Sequence, residues 1–180
     1  MKALAAALLV SVAACGQGHA VFNVDVVSFL QPSGKDTVGY NIVTALAVSA
    51  DSFITPVKIS LPSGLGSSTV DSVSVAMAGV IDNQTGTGSV TFEIFFAQDS
   101  ASTYTGTPYL HPSATISGTQ PSTVPLLAPD TVSLADSVFN TNTLWVGVHA
   151  ALTKNAGANL TGRIRMTMLT LRIVLQDKVL

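Results

Sequence analysis

Between Val70 and Phe96 apolar residues recur at every second position, first as Val73, Val75, Met77 and Ile81, then as Val90, Phe92, Ile94 and Phe96. Successive side chains of a strand point to opposite faces, so this period buries one face of a β-sheet, whereas a helix would scatter it around its circumference. The alternation returns in Val38, Tyr40, Ile42, Leu46 and Val48, in Phe53, Val57, Ile59 and Leu61, and in Leu144, Val146, Val148 and Leu152. Beyond residue 15 no stretch has a helical period of ordinary length. The chain is therefore expected to be all-β: a single β-sandwich of about eight strands, jelly-roll-like or Ig-like, with at most one short helix besides an N-terminal leader.

Turn chemistry marks the joins. Gln31-Pro32-Ser33-Gly34-Lys35-Asp36 closes a first strand over Val21–Leu30, and Asp51-Ser52 breaks the second. Pro56 lacks an amide donor, so the third strand should start late or lie at an edge. Asn83–Gly88 reads as the tight connection of a hairpin between Val70–Asn83 and Val90–Phe96. From Gln98 to Pro129 the period fades among Pro, Ser, Thr and Gly, and a stretch of that length should hold one or two short strands. Pro129–Asn140 reads two ways: Val132, Ala135 and Phe139 have helical spacing behind Asp130, while Val132, Leu134 and Val138 fit a strand, and the single short helix is the preferred reading. Two strands change phase, at Val26/Val27 and at Met168/Leu169. Without a bulge or a change of face there, half of each apolar set would turn to solvent.

Met1–Cys15 sets the address. Lys2 supplies a positive start, and Ala3–Ala14 is an apolar run ending in small residues, too short for the ~20 residues that span a bilayer. It reads as an export signal. Val12-Ala13-Ala14-Cys15 resembles the lipobox of bacterial lipoproteins. The resemblance covers the leader alone and implies that Cys15 is lipidated and becomes the first mature residue. Cleavage after Gly18-His19-Ala20, giving a secreted protein, is the alternative. On the lipobox reading residues 1–14 are signal peptide, 15–20 a lipidated tether and 21–180 the sandwich, held in the bacterial cell envelope at the outer membrane or cell surface.

Charged residues are 10% of the chain and hydrophobic ones 47%, so the surface must be built largely from Ser, Thr, Asn, Gln and Gly. The 8 Lys and Arg are scattered, and without a basic cluster to neutralise phosphates nucleic acid is not an expected partner. After Cys15 there is no cysteine, so packing and strand pairing must supply the stability of an exported domain. A small outer-membrane barrel is disfavoured, because aromatics make up only 6% and such barrels need aromatic girdles.

Chemistry-bearing motifs are sparse. Of the histidines, His19 falls in the tether, leaving His111 and His149, and no Gly-x-Ser-x-Gly elbow accompanies them; Gly64-Leu65-Gly66-Ser67 is only superficially similar. Glu93, the sole glutamate, sits between Phe92 and Ile94 and so points away from the core as a solvated strand residue. Asp82, Asn83 and Asp99 offer oxygens to a hard cation but lack any EF-hand spacing and read as turn formers. No catalytic residue, metal or cofactor is expected. The ligand candidates are Tyr104, Tyr109 and His111 in the 98–129 region, with Trp145 on the strand face opposite Leu144, Val146 and Val148. Their rings offer stacking area and a directional hydrogen bond to a neutral polar ligand. The expected function is a non-enzymatic lipoprotein module that meets the membrane through its lipid and an envelope protein or polysaccharide through its surface. A carbohydrate-binding module using the 98–129 loops is the alternative, and a secreted hydrolase the third reading.

Overall fold

The computed structural model describes residues 19–61, 69–117, 122–127, 132–134 and 137–176, with the main chain alone for 19, 69, 122–127 and 132–134; Cys15 lies outside these. In chain order the elements are β1 (His19–Asp25), α1 (Val27–Leu30), β2 (Thr37–Ile42), β3 (Val48–Phe53), β4 (Val57–Ser60), β5 (Thr69–Thr85), β6 (Gly88–Ala97), β7 (Ser113–Ile116), β8 (Ser122–Leu127), β9 (Val132–Leu134), β10 (Thr143–Lys154) and β11 (Leu160–Gln176). Every strand pairing is antiparallel.

Short strands share lanes. β1 and β2 lie end to end along β11, β3 and β4 along β10, and β8 and β9 along β5. The eleven described strands thus fill eight lanes in two sheets. Sheet A runs β1/β2, β11, β5, β8/β9, and sheet B runs β3/β4, β10, β6, β7. Numbered in chain order, the lanes read 1-8-3-6 in one sheet and 2-7-4-5 in the other, which is the connectivity of a jelly roll.

The alternation read from the sequence faces inward. Val73, Val75, Met77 and Ile81 of β5, with Ile164, Met166, Leu169, Leu171 and Ile173 of β11, pack against Val90, Phe92, Ile94 and Phe96 of β6 and Leu144, Val146, Val148 and Leu152 of β10. All are buried. At Met168/Leu169 the phase change is a bulge: Met166 pairs with Gly79 and Met168 with Ala78, so Thr167 is the extra residue that returns Leu169 to the core.

Four local expectations are corrected. The strand over Val21–Leu30 ends at Asp25, whose carboxylate accepts the Val27 amide at 3.1 Å, and the phase change marks the start of the one-turn helix α1. β5 and β6 are not a hairpin, because they belong to different sheets. Their join is a corner at which Asn83, 2% exposed, donates from Nδ2 to the Gly86 carbonyl at 3.1 Å. Gly86 has φ +85°, and a Cβ there would meet Leu160 Cα at 2.8 Å. Asp51-Ser52 lies inside β3 rather than breaking a strand; the break falls at residues 43–47. In place of the helix over 129–140, the described part forms β9 and a 3₁₀ turn at Ser137–Phe139. The sheet edge offered by β5 takes up β9. Two features fell as expected: short strands, β7 and β8, arise within 98–129, and β4 starts just after Pro56 at a sheet edge.

Candidate functional site: the outer face of sheet B

Sheet B turns one face to the core and the other outward, and the outward side chains of β3, β10 and β6 meet in register. Phe53, His149 and Glu93 are direct cross-strand neighbours. The His149 ring stacks on Phe53 at 4.1 Å between centroids and 9° between planes. Its Nδ1 lies 2.6 Å from Glu93 Oε2, and its Nε2 lies 2.9 Å from Asp51 Oδ1. An imidazolium donates to both carboxylates, while the neutral ring can donate to one only. Exposure grades across the group: the side chain is 12% accessible in His149, 23% in Glu93 and 60% in Asp51. The whole Phe53 residue is 56% exposed, an unusual figure for a large apolar residue on a strand.

Tyr104 comes down onto this face from the loop after β6. Its hydroxyl donates to the Ile54 carbonyl at 2.6 Å and accepts the Val148 amide at 3.1 Å. Those main-chain groups sit where the lane breaks between β3 and β4, so the phenol substitutes for a missing strand residue. Burial pushes the Tyr104 phenol above its ordinary pKa, and its bond to Val148 partly offsets this. The ring packs edge-on against Phe53 and Phe95 at 5.1 and 5.4 Å. Gly147 makes room for it, since a Cβ there would lie 2.7 Å from Tyr104 Cε1.

The candidate ligand residues do not converge. Tyr109 belongs to a second aromatic group, with Phe96 at 5.3 Å and Phe139 at 5.7 Å, at the rim of the core. His111 is exposed between Leu110, which bridges to Ile94, and Pro112. Trp145 is half-buried on β10, paired with Ala97 and Lys58. Only Tyr104 and Trp145 share the sheet B face with His149.

The oxygens considered for a cation have other work. Asp82 pairs with Arg163 at 3.1 Å, Asn83 accepts from the Tyr40 hydroxyl at 3.2 Å, and Asp99 caps its own turn through Ser102 Oγ at 2.8 Å and the Ser102 amide at 2.9 Å. Those bonds hold the Asp99 carboxyl below its usual range. Among the described residues no three His, Cys, Asp or Glu converge as a metal group. Asp99 lies instead on an open cleft of about 300 Å³ lined by Phe96, Gln98, Ser102, Thr105, Ser137 and neighbours.

The group Asp51–His149–Glu93 was not visible in the sequence. Alternation placed Glu93 and His149 on outward faces, but 56 residues separate them and only the pairing of β6 with β10 makes them neighbours. Asp51 read as a turn residue.

No protein-family model matches the sequence, and no curated protein does. Among solved structures the chain is similar to infectious bursal disease virus, Gx strain, at 12% identity and TM-score 0.39 over 87% of this chain and 32% of that one. The Gt strain structure follows at 12% and 0.42, covering 90% and 37%, and the VP2 subviral particle of the same virus at 9% and 0.34, covering 89% and 38%. The chain thus spans about a third of the length of these neighbours, and at such identities the likeness concerns the fold alone.

Proposed function

We propose that this chain is a non-enzymatic lipoprotein of the bacterial cell envelope, a jelly-roll module fixed to a membrane surface through Cys15 and engaging an envelope partner through the outer face of sheet B. The observation that carries the reading is the start of β1 at His19, four residues after the lipobox-like cysteine and paired throughout with β11. Whatever holds Cys15 therefore holds the start of β1 within ~14 Å, since extended chain covers at most ~3.6 Å per residue. Stable anchoring follows from several acyl chains together. The non-catalytic part of the reading is supported by His149, whose two ring nitrogens both face carboxylates and act as a brace between strands.

The test is the mass of the mature N-terminus together with envelope fractionation. An acylated Cys15, and release of Cys15→Ser into the soluble fraction, are the expected results. An N-terminus at Val21 with unchanged distribution overturns the reading.

Polysaccharide recognition is the second reading, favoured by the open Phe53 ring beside two carboxylates. Retention on envelope polysaccharide that falls tenfold in Phe53→Ala, with melting temperature kept, would support it; equal retention would remove it.

A further inference from the structure

β3 is held to the sandwich less by the core than by its outward side chains. None of its residues is buried: Val48, Ala50 and Ser52 face inward half-buried, and Ser49, Asp51 and Phe53 face outward exposed. It is also an edge strand, and among the described strands it pairs with β10 alone. Of the three outward side chains, Ser49 reaches Thr153 only at 3.4 Å. Asp51 and Phe53 both rest on His149, the first against Nε2 at 2.9 Å and the second by ring stacking at 4.1 Å. One imidazole therefore supplies most of what ties the outer side of this strand to its neighbour.

Whether the ring can do this depends on its protons. A carboxylate only accepts, so the contacts at Nδ1 and Nε2 are both hydrogen bonds only when each nitrogen carries a hydrogen. Among the described residues neither carboxylate bonds to another side chain, so no second donor stands in for the ring. When a proton leaves, one nitrogen turns a lone pair on a carboxylate oxygen and one contact opens. The geometry selects Asp51. Glu93 lies closer, at 2.6 Å, and is 23% accessible, so releasing it would leave a carboxylate poorly hydrated, whereas Asp51, 60% accessible, passes to water at little cost. The stack on Phe53 weakens in the same step, because a ring face attracts a cation more than a neutral imidazole. Three other titratable groups stand nearby. Tyr104 packs on Phe53, but its hydroxyl is engaged by Ile54 and Val148 and burial holds its phenol above the ordinary value, so it stays neutral where imidazoles titrate. Lys58 of β4 is in register with Trp145, four residues along β10 from His149. His111 flanks β6 on its other side, next to the Leu110 bridge to Ile94.

We propose that His149 is a proton-operated latch on edge strand β3: the imidazolium holds Asp51 and Glu93 together, and loss of its proton frees Asp51 and loosens β3 while the Glu93 contact stays closed. The group then passes from two carboxylates with one cation, a charge of −1, to two carboxylates alone, a charge of −2. The change takes place among the hydroxyls of Ser49, Thr153, Ser89 and Thr91, which occupy the next outward positions of the same three strands. Acid thus closes the outer face of sheet B and alkali opens it and makes it more anionic. As control of partner binding this rests on the reading above; as a latch it rests on three strands, and its test needs no partner.

The test uses the full chain at about pH 5 and about pH 8.5, on either side of the imidazole range. Nitrogen-15 NMR reads the ring, and hydrogen exchange followed by mass spectrometry, corrected for the intrinsic effect of pH, reads the strand. At the higher pH the neutral ring should carry its hydrogen on Nδ1, toward Glu93. Amides of β3 should then exchange about threefold faster relative to those of β2, a step of the size that an exposed ion pair allows. Asp51→Asn should abolish the step, because a carboxamide can accept from a protonated Nε2 or donate to a bare one. His111→Gln should keep it. A hydrogen on Nε2 at the higher pH overturns the proposal, since Asp51 would then stay bound. So does an unchanged ratio of β3 to β2 exchange, a step that survives in Asp51→Asn, or one that vanishes in His111→Gln. Polysaccharide retention and Cys15 acylation enter none of these readouts, so the latch and the partner reading stand or fall separately.

Discussion

Tyr104 shows how one side chain can close a gap in a sheet. Its hydroxyl serves Ile54 and Val148 where two short strands fail to meet, so Tyr104→Phe would strand a carbonyl and an amide and cost about 1–3 kcal/mol. Gly147→Ala should cost at least as much, since the methyl would displace both the ring and Thr103, whose Cγ2 lies 2.5 Å from that point. Urea denaturation of the two variants checks both, and an unchanged midpoint in either would refute the bridging role. Tyr40 makes a separate prediction. It is 7% exposed, bonded to Asn83 and close to Asp82, and burial first, then that carboxylate, push its pKa from 10.0 to about 12. The folded state thus favours the neutral phenol. That contribution is whole below pH 10 and is lost as pH rises toward 12, amounting to about 2–3 kcal/mol. Phenolate absorbance should show Tyr40 titrating last, with Tyr104 also delayed, and Tyr40→Phe should remove the latest step.

At the level of strands, the residues that could be read from the sequence are those whose neighbours lie two places away. Val73 to Ile81, Val90 to Phe96 and Leu144 to Leu152 were legible as buried faces because the period is local, and the bulge near Met168 was legible because a break of phase is also local. Partners were not. The apparent hairpin at Asn83–Gly88 has the turn residues of one, yet Gly86 turns the chain across to the other sheet, and no short-range signal separates the two outcomes. Asp51, Glu93 and His149 were hidden for the same reason: their meeting depends on three strands choosing each other. Thr167 offers a test of register. Deleting it would let Met168 follow Met166 in an unbroken ladder, with Leu169, Leu171 and Ile173 keeping their inward places. The protein should then stay soluble and melt cooperatively, and an insoluble deletion would contradict the assignment of Thr167 as the extra residue.

Across the whole molecule, β5, β10 and β11 each carry two shorter strands on one side, and the core is assembled on these long elements. Stability should be graded accordingly. Amides of β11 that bond to β5 are expected to exchange most slowly, and those of β2, β4 and β9 fastest, because a short segment can detach without unzipping the centre. Hydrogen exchange followed by mass spectrometry measures this directly, and equal protection of β4 and β11 would show the sandwich opening as one unit instead.

The doubled lanes also govern how copies of the chain behave when crowded. A long bare strand at a sheet margin invites a foreign strand to pair with it, and repeated pairing of that kind seeds fibrils. Here the longest ladders are all interior. The margins present β1, β2, β3, β4, β7, β8 and β9, none longer than 7 residues and each broken from its lane-mate by a loop, a proline or a turn of helix where it has one. An intruding strand would run out of register at every break. A domain built this way can be packed densely without neighbours fusing edge to edge, a protection that comes from strand lengths alone and asks nothing of surface charge.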